Sequence, residues 1–315
     1  MLVALSVLLV AAPTSAQPRP GLETGGPALS ERQRIALANV GLTSLFTVAR
    51  GVVEGRVRSV GDGLEAAAWG AAAGAGFYAA KDQVGRGRGA LGVGLAFASA
   101  SLAENAATGS GPLGHVRVGF GPLDVRVRTP LATRPGPAFG VDVDPLAAVA
   151  LVAVPLSGGR PVVRGGVLVY EHPALNRPDT GGTYAPGTTV GRVVLTERDP
   201  DDHVVRHETV HLIQAVQIGA VTPYGTLGGV WPRVRRTTSG GAVQWDVRVD
   251  WLYAGLGGLD KLLADGPEDG WAEAEAYALD EAPLPSYDDP PCLPCRATPY
   301  ADANGLRQRG AVLAP

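Results

Sequence analysis

The sequence predicts an α+β protein: a Gly/Ala-rich helical region followed by a region built from a small mixed or antiparallel sheet and one buried helix. Three observations point there. Residues 31–110 hold long runs of small uncharged side chains. From His115 the apolar period shortens to two, as in a half-buried strand. Later the stretch DPDDHVVRHETVHLIQAVQIG carries helix signals at both ends and apolar residues around most of its circumference. With 315 residues, 45% of them hydrophobic and 18% charged, the chain can bury a core as one large or two modest domains. A net charge of −3 predicts neither nucleic acid nor an anionic membrane surface as partner.

Residues 1–16 read as an export signal, with an apolar run over 2–12 and small residues Thr14, Ser15 and Ala16 before a cleavage site. They lack the usual Lys or Arg at the start, and no cysteine follows to carry a lipid anchor. The expected location is extracytoplasmic: periplasm, cell envelope or secreted. Residues 17–30 form a Pro/Gly-rich leader.

Ser30 and Gln33 resemble a capping box that opens a helix over residues 31–53. Two further small-residue helices are expected over 64–80 and 90–103, with residues 81–89 as a loop between them. Each stretch falls short of the roughly 20 apolar residues that a bilayer span needs. Three crossings would also place Lys81, Arg86 and Arg88 outside, against the positive-inside tendency. A helical cluster is therefore favoured over membrane association, with Gly70, Gly74 and Gly76 allowing close approach.

Val116 and Val118, then Val125 and Val127, alternate with Arg117, Arg126 and Arg128, and Gly121-Pro122 separates the two runs. This predicts a hairpin with one wet face. Residues 141–154 are ambiguous, because Pro145 divides a run that suits a buried strand or a short helix. Residues 161–170 and 188–196 read as two strands joined by a Pro/Gly/Asn-rich loop, and residues 243–254 alternate again. Residues 270–280, GWAEAEAYALD, read as a helix. Arg233, Arg235 and Arg236 suit a solvated face. Cys292 and Cys295 lie in the Pro-rich tail over 282–315, where a local disulfide fits an oxidising compartment better than a zinc site.

The chemistry concentrates in His207-Glu208-Thr209-Val210-His211. Residues four apart on a helix lie about 40° apart around the axis and one turn apart along it, so both imidazoles can reach one ion. Only five histidines occur in the chain, and three of them, His203, His207 and His211, fall within nine residues. With Gln214 they share one narrow stripe of an otherwise apolar helix, and a metal would satisfy ring nitrogens that burial leaves without water. Asp199 is the expected N-cap, Pro200 the first helical residue, and Gly219 the stop.

HETVH, followed about sixty residues later by the helical EAEAY, resembles the gluzincin branch of the zincin metallopeptidases. The resemblance covers two short helices and implies a zincin-like α+β catalytic region over residues 111–281 with Zn2+ as cofactor. His207, His211 and Glu273 would be ligands, and Glu208 the general base that takes a proton from the metal-bound water. Tyr277 stands where that family more often has Asp, which puts the support of a ligand histidine in question. Gln214 and Gln217 stand where the metzincin branch requires glycine and a third histidine. Glu275 is the competing ligand: it lies about 200° from Glu273 on a helix, so only one can face the metal, and burial favours Glu275. The implied activity is peptide-bond hydrolysis on a peptide or protein substrate. The alternatives are a non-catalytic envelope protein with a zincin-like metal or structural site, and a membrane-associated peptidase.

Overall fold

The computed structural model describes residues 29–175, 187–223, 234–237, 241–247 and 271–279. The expected signal, residues 17–28 of the expected leader, residues 248–254 of the later alternating stretch and the cysteine-bearing tail lie outside the described residues. Three helices come first: α1 (Glu31–Val53), α2 (Val60–Gly85) and α3 (Gly89–Thr108). Then follow β1 (His115–Phe120), β2 (Leu123–Arg128), β3 (Phe139–Val143), α4 (Pro145–Leu156), β4 (Arg160–Arg164) and β5 (Val167–Glu171). Beyond these lie β6 (Gly187–Val190), β7 (Val193–Thr196), α5 (Asp202–Val221), β8 (Val234–Thr237), β9 (Val243–Val247) and α6 (Trp271–Leu279). The protein is α+β, with two mixed sheets in the orders β1-β2-β3-β9-β8 and β4-β5-β7-β6.

Capping sets where the first helices begin. Ser30 and Gln33 form the expected reciprocal box, and Ser59 with Asp62 forms a second one that opens α2. Gly109, in the left-handed conformation at φ 63°, closes α3. Helix α2 passes through the stretch expected to be a loop and ends only at Gly85, so Lys81 is helical and wholly buried. The helices pack closely because glycine removes the obstacle: a Cβ at Gly70 would stand 2.8 Å from Ser44 Cα, and one at Gly74 would stand 2.7 Å from Val40 Cα.

Length overturns part of the reading against membrane crossing, since Arg32–Val53 and Gly89–Thr108 are long and apolar enough to span a bilayer. Both helices nevertheless direct polar groups into the protein. Helix α1 buries Asn39, Thr43, Thr47 and Arg50, and α3 buries Ser99, Ser101, Glu104 and Asn105.

Helix α5 lies at the centre. Val205, Val210, Leu212, Ile213, Val216, Ala220 and Val221 share one core with Phe77 and Val84 of α2, Phe97 and Ala100 of α3, Val169 of β5, Val194 of β7 and Ala276 of α6. That core crosses the sequence boundary at residue 110. The strands expected over 161–170 and 188–196 are each a hairpin, with β4 turning into β5 at Gly165-Gly166 (φ 55° and 84°) and β6 into β7 at Gly191 (φ 60°). The ambiguous run splits at Asp144, whose side chain caps α4 through the amides of Leu146 and Ala147.

The first hairpin runs opposite to its alternation. Val116, Val118, Phe120, Leu123 and Val127 are exposed, whereas Arg117, Asp124 and Asp142 are buried against α3. Arg117 pairs with Asp124, and Arg126 reaches Asp142 at 3.0 Å and Glu104 at 3.1 Å. The physical reason is α3, which presents Glu104 to the charged side of the sheet. Arg50 and Arg117 lie 3.6 and 3.8 Å from its oxygens. Burial disfavours the Arg117 cation, but Asp124 and Glu104 outweigh that and raise its pKa further.

Candidate metal centre

Helix α5 begins later than expected. Asp201 is its N-cap and makes no side-chain capping bond, while Asp199 sits at φ 54° and instead accepts from Arg160 at 2.9 Å. The helix also runs past Gly219 to Val221. Its histidine stripe meets α6. Glu273 Oε2 lies 3.1 Å from His207 Nε2 and 3.2 Å from His211 Nε2, and the two ring nitrogens are 3.1 Å apart. The rings meet edge to face, with centroids 4.8 Å apart. His203 stays outside this group, at 4.0 Å from Asp201 on the surface.

Three ligand atoms thus form a nearly equilateral triangle. A tetrahedral zinc ion with bonds of about 2.0–2.1 Å separates its ligand atoms by about 3.3 Å, so the observed edges match one face of that tetrahedron to within a small relaxation. Two imidazoles and one carboxylate are also a donor set that zinc takes. The residues present fit the ion.

Of the two glutamates that compete on α6, Glu273 meets the histidines, and Glu275 points elsewhere. Glu275 is the more deeply buried, as the helical pattern suggests, but its partners are Lys81, Asn39 and Gln214. The side chain of Tyr277 lies outside the described residues. Support for His211 comes instead from Gln214, whose Oε1 is 2.8 Å from His211 Nδ1. Neither Lys81 nor Thr189 stood out in the sequence. Lys81 continues the i, i+4 spacing of the buried Ala73 and Phe77 toward Val84, a signal that its charge obscures.

Glu208 is buried beside β6. Thr189 Oγ1 donates to Glu208 Oε2 at 2.7 Å, with the Glu208 carbonyl oxygen 3.0 Å away. Gly187 makes this contact with the strand feasible, since a Cβ there would lie 2.8 Å from Glu208 Cγ. The Glu208 carboxylate also acts on His211, favouring its charged form.

The charges of His211 and Glu273 favour one another. Burial disfavours the His211 cation, yet the hydrogen bond and charge of Glu273, with smaller contributions from Glu208 and Gln214, carry its pKa up to about 9. Burial also pushes Glu273 upward, but hydrogen bonds from His207 and His211 hold it well below the usual carboxylate range. A raised base contributes stability that is complete below its ordinary value of 6.5 and is lost as pH rises through about 9. A lowered acid contributes above its ordinary 4.5 and loses that contribution as pH falls. In metal-free protein both contributions are complete between pH 4.5 and 6.5. Urea midpoints of the metal-free wild type should therefore exceed those of Glu273→Gln most in that window, and the gap should close toward alkaline pH. A gap that stays constant up to about pH 10 would refute the coupling.

No family model, curated protein or solved structure matches the chain.

Proposed function

We propose that the protein is an exported zinc metallopeptidase of zincin-like architecture, in which His207, His211 and Glu273 hold the ion and Glu208 is the general base. The supporting observation is the triangle of two Nε2 atoms and one carboxylate oxygen with edges of 3.1, 3.1 and 3.2 Å. Zinc held by His207, His211 and Glu273 would supply a Lewis acid to polarise a scissile carbonyl and lower the pKa of water. Glu208 takes the proton from the attacking water and passes it to the leaving amine. Thr189 holds Glu208 Oε2, which leaves Oε1 as the oxygen that exchanges the proton.

An extended peptide has a place to lie. Strand β6 is the outermost strand of its sheet among the described residues and packs against α5 beside Glu208. That outer edge suits backbone pairing with a substrate in strand conformation. Specificity would then come from the pockets that receive alternate side chains of the peptide.

Metal analysis of the purified chain tests the reading. One zinc per chain is expected for wild type, and Glu273→Ala is expected to lose stoichiometric metal under the same dialysis, because two imidazoles alone hold zinc poorly. Wild-type zinc content in Glu273→Ala would sink the ligand assignment. No zinc in the wild type would sink the function with it.

A further inference from the structure

A run of buried hydrogen bonds joins the helical layer to the far side of His211. Lys81 Nζ lies 2.8 Å from Asn39 Oδ1, from Gln217 Oε1 and from Glu275 Oε2. Asn39 donates from Nδ2 to Glu275 Oε1 at 2.5 Å, and Gln217 donates to Thr43 Oγ1 at 2.8 Å. Both oxygens of Glu275 are thereby engaged, and Lys81 supplies the cation that a buried carboxylate needs.

Gln214 turns this arrangement into a constraint on the ring. Its Nε2 lies 2.7 Å from Glu275 Oε2 and 3.0 Å from the carbonyl oxygen of Ala272. Both of those oxygens only accept, so the amide must present its NH2 to them and its Oε1 to His211. Oε1 also only accepts, so its 2.8 Å contact requires a proton on His211 Nδ1. Nε2, which faces His207 and Glu273, is left to offer its lone pair to a metal.

We propose that Lys81, Glu275 and Gln214 form a positioning chain for the metal site, fixing the ring orientation and tautomer in which His211 presents Nε2 to zinc. The inference rests on the zinc reading of the trio. Without the chain only the Ala272 carbonyl oxygen holds the Gln214 amide against turning over and presenting its NH2 to Nδ1. That orientation demands the other tautomer, with the proton on Nε2, where the metal must go. The helical region over residues 31–110 thereby becomes part of the site, because the cation that anchors the chain comes from α2.

The test is the Zn2+ dissociation constant of the full chain by competition with a chromophoric chelator, for wild type, Gln214→Met, Lys81→Met and Lys81→Met/Glu275→Gln. Circular dichroism and melting are recorded separately for each. Gln214→Met keeps the volume and leaves the ion pair intact, so it decides the matter even if Lys81→Met does not fold. Gln214→Met and Lys81→Met are each expected to weaken zinc binding by about 10–100-fold at temperatures where the fold persists. The double variant removes both charges and keeps an amide oxygen for Gln214 Nε2, so it should recover most of the loss. Long-range 1H–15N correlation of the zinc-loaded protein should place the remaining His211 proton on Nδ1 in wild type. Unchanged zinc affinity in Gln214→Met, whatever its melting temperature, overturns the proposal. A wild-type chain that takes up no zinc overturns this inference and the proposed function together, whereas wild-type uptake with unaltered variants overturns this one alone.

Discussion

Glu208→Gln is expected to keep zinc and to lower peptide hydrolysis by about 10²–10⁴-fold, the usual contribution of a positioned general base. The substitution keeps the shape of the side chain, and its amide oxygen can still accept from Thr189, which stands 2.7 Å from Oε2. It removes the ability to take a proton, together with the negative charge that acts on His211. Glu208 is not one of the three residues whose ligand atoms converge, so metal content should match wild type. The measurement is turnover of an unstructured protein substrate beside zinc content, in one preparation. Loss of zinc with loss of turnover would mean that Glu208 supports the metal rather than the proton transfer. Equal turnover in both proteins would remove it from the chemistry.

Glu104→Leu should cost about 3–5 kcal/mol of stability, because it removes the buried carboxylate that Arg50, Arg117 and Arg126 share and leaves Asp124, Asp142 and Glu54 to offset them. Arg126 Nη1 lies 3.1 Å from Glu104 Oε1, with Arg50 at 3.6 Å, while Arg117 and His115 approach Oε2 at 3.8 and 3.5 Å. For a chain of this size the loss corresponds to a melting temperature lower by roughly 5–8 °C. By contrast Val118→Ser on the other face of the same sheet, where the side chain is 61% exposed, should change stability by no more than about 0.5 kcal/mol. Thermal melts of the two variants test the inversion of this sheet directly. If Val118→Ser proves the more damaging, the valine face is the buried one and the description of the sheet is wrong.

That inversion marks the limit of what alternation reveals. A period of two says that β1 and β2 have two unlike faces, and the structure has them; which face turns inward depends on what waits there. Apolar strands normally meet an apolar layer, but α3 meets this sheet with Glu104, so the arginines go in. The helix that carries HETVH, the helix over 271–279 and the capping box at Ser30 were legible because local spacing determines them. The two later hairpins were not, since Gly165-Gly166 and Gly191 punctuate runs that otherwise read as continuous strands. At the site, helical periodicity places Glu273 and Glu275 on different sides of α6, but not which side meets the histidines. That depends on Lys81, 194 positions away from Glu275, which draws the buried carboxylate to itself. A lysine inside a small-residue helix looks like a break in the chain until its partner is seen.

On the proposed metal reading, the order of His207, His211 and Glu273 along the polypeptide bears on biosynthesis. Glu273 follows His207 by 66 positions and His211 by 62, and Glu275 travels on the same nine-residue helix. While the ribosome is still short of residue 271, a nascent chain has both imidazoles but neither the third ligand nor the anion that neutralises Lys81. Helix α6 therefore brings Glu273 and Glu275 to their partners in one event, and on the proposed reading the chain has no competent centre with which to cut itself or its neighbours before that.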